Sequence, residues 1–129
     1  MTDDEFLQAF ARHTLHEFRH RDHLRLAWLH VRQLGPEGAA HSVTEAIRQF
    51  AAAQGVPDKY HDTMTRFWVA LVAHTRTQRP DIDDFDRFLE VFPWLLEKDL
   101  PFRHWRRETM MSAAARAAWV EPDLLGMPA

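Results

Sequence analysis

Apolar residues in this chain recur at helical spacing and nowhere alternate long enough to predict a strand. Val and Ile are scarce beside Ala, Leu and Arg, which points the same way. Asp3 or Asp4 is expected to cap a first helix, with Phe6, Phe10 and His13 at i, i+4 and i+7 on one stripe. Asp22 is the expected cap of a second helix, whose stripe is Leu24, Trp28 and Val31, and Gly35-Pro36 closes it. A third helix begins either at Pro36 or at Ser42, where Ser42-Val43-Thr44-Glu45 spells a capping box. Its stripe is Val43, Ile47 and Phe50, and Gly55-Val56-Pro57 ends it.

Asp58 should cap the longest helix, about 59–77. Tyr60, Met64, Phe67, Leu71 and His74 form one face of it, and His61, Thr65, Trp68 and Val72 the next. Gln78-Arg79-Pro80 breaks that helix, and Asp81 opens a fifth with Phe85, Phe88, Leu89 and Phe92 as its stripe. A sixth, alanine-rich helix is expected over 104–118, followed by an extended tail at Glu121-Pro122-Asp123. The predicted fold is therefore all-α: a single-domain up-down bundle of five to six helices with an extended C-terminal tail.

Composition narrows this picture. At 129 residues and 46% hydrophobic content the chain suits one domain with its own core. Nine phenylalanines and five tryptophans must be buried or offered to a ligand. With no cysteine there are no disulfides, thiolate metal sites or cysteine nucleophiles, a pattern that fits a cytoplasmic protein. A net charge of −3 argues against nucleic acid, because a backbone-binding protein concentrates Lys and Arg into a net basic face. The start of the chain, Met1-Thr2-Asp3-Asp4-Glu5, is acidic and unlike a signal peptide. No apolar run reaches the roughly 18 residues needed to span a bilayer, so no membrane association is expected.

Nine histidines without a cysteine are the chemical anomaly. Short connections make successive helices antiparallel, so the helices that begin near residues 22 and 59 should run parallel, with their N-termini at the same end. That brings His20, His23 and His61 together, with His104 returning toward them. His74 lies 13 positions beyond His61, about 20 Å along the axis, and cannot share an ion with it. Three readings of the triad compete. The rings cap or decorate helix starts; or they bind a divalent metal (Zn, Fe or Cu), since a positive dipole end keeps imidazole neutral; or they belong to a pocket for an anionic or aromatic small molecule. Arg25, Trp28, Tyr60, Thr65, Arg66 and Trp68 would line such a pocket. His-x-x-His is an unspecific spacing, well short of His-Glu-x-x-His.

The segments Phe18-Arg19-His20-Arg21-Asp22-His23-Leu24-Arg25-Leu26-Ala27-Trp28, Tyr60-His61-Asp62-Thr63-Met64-Thr65 with Trp68, and Trp119-Val120-Glu121-Pro122-Asp123-Leu124 carry a resemblance. The chain resembles a group of short bacterial all-helical proteins over most of its length from Phe18. The resemblance implies a family and the helical fold but no activity. The leading functional expectation is a metal site built from His20, His23 and His61, supporting a metal-bound water or an open coordination position. The competing expectation is a non-catalytic small-molecule pocket or a homodimer face made of exposed aromatic residues.

Overall fold

A computed structural model describes residues 1–128. Among them every regular element is helical, and no helix is long and apolar enough to cross a membrane. The first helix, α1 (Asp3–Ala11), starts one residue earlier than its acids suggest. Thr2 is the cap: its hydroxyl accepts the Glu5 N–H at 3.1 Å while the Glu5 carboxylate accepts the Thr2 N–H at 2.8 Å. Phe6 and Phe10 are buried as expected. His13 leaves the stripe because the helix has ended, and it sits exposed in the left-handed region with φ 58°.

The next two expected helices form α2 (His20–Ala53), bent sharply at Gly35, where φ 78° and ψ 174° are open only to glycine. Pro36 restarts the second limb as the first of the two sequence alternatives foresaw, and Ser42 lies inside that limb rather than capping it. His30 Nδ1 and Ser42 Oγ are 2.7 Å apart, although an unbroken helix would hold residues of that separation about 18 Å apart. The second limb thus folds back on the first, and Phe50 near its end packs on Phe10 and on Phe18, which precedes α2. Asp22 does not cap α2. It sits one turn in, where its carboxylate accepts the N–H of Arg19, the actual cap residue, at 2.9 Å. At the far end Gly55, with φ 75°, closes a Schellman turn: Val56 N–H reaches Ala51 O and Gly55 N–H reaches Ala52 O.

A 3₁₀ turn over Pro57–Lys59 and an extended Tyr60 delay the next helix, so α3 (Asp62–Gln78) is capped by His61 and not by Asp58. It supplies the centre of the core through Phe67, Trp68, Val69, Leu71 and Val72, all buried. α4 (Phe85–Val91) is capped by Asp84, which takes the Arg87 N–H at 3.0 Å, whereas Asp81 is occupied by Arg79. Trp28 is fully buried beside Phe85 and Phe88.

The expected sixth helix over 104–118 does not form as one piece. Two 3₁₀ turns (Pro93–Leu96 and Leu100–Arg103) lead to α5 (Arg107–Met110) and α6 (Ala113–Ala117). Ser112 causes the second break by capping α6 through the Ala115 N–H at 3.1 Å. Beyond Ala118 the chain is stitched down by buried groups. The Thr63 hydroxyl donates to Ala118 O and accepts from Val120 N–H, Trp105 donates its indole N–H to Val120 O, and Leu124 N–H reaches His104 O.

Candidate functional site

One cleft of roughly 370 Å³ gathers the N-terminal turn of α2 and the residues that open α3. His20, His23 and His61 all line it, so the structure does bring together the three histidines singled out from the sequence. Val43 and Ile47 from the returning limb and Met64, Trp68 and Val69 from α3 supply the apolar wall. His20 occupies the first turn of α2, and its ring makes a T-shaped pair with Trp68, centroids 4.4 Å apart.

The three rings are not equivalent. His61 Nε2 lies 2.6 Å from Met110 O, and a carbonyl only accepts, so Nε2 carries the proton. Its Nδ1 accepts the Met64 N–H at 3.1 Å as the α3 cap. Both nitrogens are spent, and the acceptor bond at Nδ1 requires the neutral ring; burial keeps the ring neutral by lowering its pKa. His20 Nε2 donates to Leu95 O at 2.9 Å, which makes Nδ1 the unprotonated nitrogen of the neutral form. Burial and the Lys98 charge lower the His20 pKa against the opposing effect of that bond. His23 stacks on Phe18 with ring centroids 3.9 Å apart, and burial, then His20, pull its pKa down to about 4. In the free protein all three imidazoles are therefore neutral at pH 7.

This geometry bears directly on the metal expectation. Among the described residues no group of three His, Cys, Asp or Glu side chains is placed to hold a metal ion. Both His61 nitrogens are also occupied, so its side chain is a structural tie between α3 and the end of α5. The other early histidine candidate, His104, lies elsewhere, donating Nδ1–H to Leu125 O at 2.8 Å and packing on Phe67.

Of the residues assigned to a ligand pocket, Tyr60, Thr65 and Trp68 line the cleft. Arg25, Trp28 and Arg66 do not. Arg25 pairs with Asp3 at 2.8 Å, donates to Met1 O and stacks on Phe6, so it ties α1 to α2. Trp28 is core. Arg66 is held one turn back by Asp62, its Nε at 2.8 Å from Oδ2. Asp62 is itself buried and also accepts the Tyr60 hydroxyl at 2.6 Å and Arg48 at 3.4 Å. Burial and that carboxylate push the Tyr60 phenol up to about 12, so Tyr60 is a neutral donor with a fixed ring. Thr65 back-bonds to His61 O at 2.7 Å, the ordinary behaviour of a threonine in a first helical turn.

Two residues that sequence reasoning passed over complete the site. Lys59 and Lys98, the only lysines among sixteen basic side chains, both flank this cleft. Neither stands out by local motif, since one sits in a turn between helices and the other in the loop after Leu96. The signal present was compositional: a chain that otherwise uses arginine placed lysine twice. No carboxylate lines the cleft among the described residues, so its only formal charges are positive. In comparisons with known proteins, no family model, no curated protein and no solved structure matches this chain.

Proposed function

We propose that the cleft binds a small organic anion with a flat apolar body. The observation that carries this reading is the pairing of both lysines with an apolar wall that contains no acid. Trp68 and Tyr60 contribute aromatic surface for the body, while Lys59 and Lys98 offer point charges to the anion. If the limbs of α2 and α3 form an up-down frame, the positive ends of two helix dipoles add to the same preference. A volume near 370 Å³ suits one or two fused rings.

A divalent ion is the second reading, favoured by one observation: His20 Nδ1 and the His23 ring, one turn apart on α2, are free of protein hydrogen-bond partners. Zn, Fe or Cu would take these two nitrogens and complete its shell from a bound carboxylate, with His61 excluded.

Thermal-shift measurements separate the two. The probes are 2-naphthoate, its neutral isostere 2-naphthamide, and Zn²⁺, Fe²⁺ and Cu²⁺ on protein purified without a His-tag. Stabilisation by naphthoate but not by naphthamide supports the anion site. Stabilisation by a metal alone, lost in His23→Leu and retained in His61→Asn, supports the second reading and overturns the first.

A further inference from the structure

The cleft has a neighbour. An open groove of roughly 470 Å³ is lined by Arg48, Asp58, Tyr60 and Arg116, with Ala113 and Ala117 of α6 as its apolar part. The two cavities share a rim. Tyr60 borders both, Lys59 of the cleft follows Asp58 of the groove, and Ile47 of the cleft precedes Arg48 of the groove. Consecutive Cα atoms are only about 3.8 Å apart, so the two spaces meet within the length of one side chain.

The charges of the groove are unequally engaged. Buried Asp62 is held by Arg66 at 2.8 Å and by the Tyr60 hydroxyl at 2.6 Å, so Arg48, at 3.4 Å, is its outermost partner. Glu45 is farther from Arg48 still, at 3.8 Å, past hydrogen-bond range. Arg48 also lies over the Tyr60 ring, its guanidinium carbon 4.9 Å from the ring centre, which places its charge at the shared rim. Arg116 gives one N–H to the Asp58 backbone carbonyl at 3.3 Å and pairs with no carboxylate among the described residues. It therefore keeps most of its N–H donors free, in the planar fork that matches a carboxylate. Asp58 is the one acid in the lining, set against two guanidinium groups. A ligand body resting against Tyr60 in the cleft ends within reach of these two arginines.

We infer that the groove is a subsite for a second carboxylate, so that the ligand is an organic diacid with one acid group beside Lys59 and Lys98 and the other beside Arg48 and Arg116. This deepens the anion reading of the cleft and rests on it. The cleft alone accounts for a flat monoanion; the groove adds selection for a second charge carried beyond the rings. A molecule of the same shape with a neutral second arm gains nothing from the arginines.

The test compares 6-(2-carboxyethyl)-2-naphthoate with 6-(2-carbamoylethyl)-2-naphthoate, in which the flexible arm ends in a neutral amide of the same size. Calorimetric titration at about 0.15 M salt, where long-range attraction is screened, gives the ratio of their affinities. The diacid should bind wild type about fivefold or more tighter than the amide, and the ratio should fall to about twofold or less in Arg116→Gln. Because that variant could disturb the local fold, the Arg48 and Arg116 Nε–H signals are also followed by NMR in wild type, where they should shift with the diacid and not with the amide. A ratio near one in wild type overturns the inference and leaves the anion site of the cleft standing. A ratio undiminished in a folded Arg116→Gln, or Nε–H signals indifferent to the diacid, overturns the assignment to this groove. No binding of either probe overturns the anion site and this inference with it.

Discussion

Replacing His61 distinguishes a structural tie from a metal ligand. His61→Ala removes the acceptor for the Met64 N–H, a helix cap that contributes about 1 kcal/mol. It also removes the donor to Met110 O, and a carbonyl left unpaired beside a fully buried methionine costs about 1 to 2 kcal/mol more. The expected loss is about 2 to 3 kcal/mol, or a midpoint lowered by about 1 to 2 M in equilibrium urea denaturation of a chain this size. His61→Asn restores a capping oxygen without reaching Met110, so it should recover about 1 kcal/mol of that loss. The pH dependence carries the same signature. Burial lowers the folded pKa below the ordinary 6.5, so the tie is fully present above that value and is lost as pH falls below it. This part of the acid sensitivity should be absent from both variants. A loss below about 0.5 kcal/mol for His61→Ala, or an Asn variant no better than Ala, would refute the assignment.

Other consequences are more compact. His23, at about 4 in the folded state against an ordinary 6.5, leaves the unfolded chain holding the extra proton between those values. Stability should therefore fall on acidification through that window, by up to about 3 kcal/mol at its lower end, and His23→Leu should flatten the curve in a pH series of denaturations. Gly35→Ala meets no atom within 4 Å, so its cost of about 1 to 3 kcal/mol is purely conformational; a value near zero in the same denaturation assay would contradict the bend at that residue. Thr63→Val leaves Ala118 O and Val120 N–H without their shared partner, which should cost about 2 kcal/mol and speed amide exchange over 118–125. Unchanged exchange there would show that the tail is held by something else.

The all-helical character and most core stripes were legible in the sequence because period-3.6 burial is a property of many residues at once. Phe6, Val43, Phe67, Phe85 and Phe88 all fell where the pattern placed them. Helix starts were less legible. Asp3, Asp22, Asp58 and Asp81 each looked like a cap, but Thr2, Arg19, His61 and Asp84 hold those positions. An acid in a first turn is favourable at the cap or one turn in, so composition alone does not fix which. The segment after Phe92 was misread for a different reason. Alanine content suggested one helix, but Ser112 and the tertiary anchors of Trp105 and His104 divide it, and those partners are distant in sequence.

The candidate site shows the same division. The expectation that His20, His23 and His61 lie near one another needs only the order of the helices and their short connections, and all three line the cleft. What the spacing does not carry is where each ring nitrogen spends its hydrogen bond. Met110 O lies 49 positions from His61 and Leu95 O lies 75 from His20, and these two carbonyls convert a three-histidine site into one tie and two open rings. Arg25 and Arg66 were taken from the lining by nearby acids, whereas Lys59 and Lys98 entered it from loops that carry no periodic signal.

The central claim is that two lysines and an acid-free apolar cleft select an organic anion. It is tested most directly by comparing the affinity of 2-naphthoate for wild type and for the folded double variant Lys59→Gln/Lys98→Gln, with 2-naphthamide alongside. Naphthoate affinity should fall about tenfold or more in the double variant, since two charged contacts contribute at least about 1.4 kcal/mol together. Naphthamide should bind weakly and equally to both proteins. Equal naphthoate affinity for the two proteins, or naphthamide binding as well as naphthoate, would contradict it.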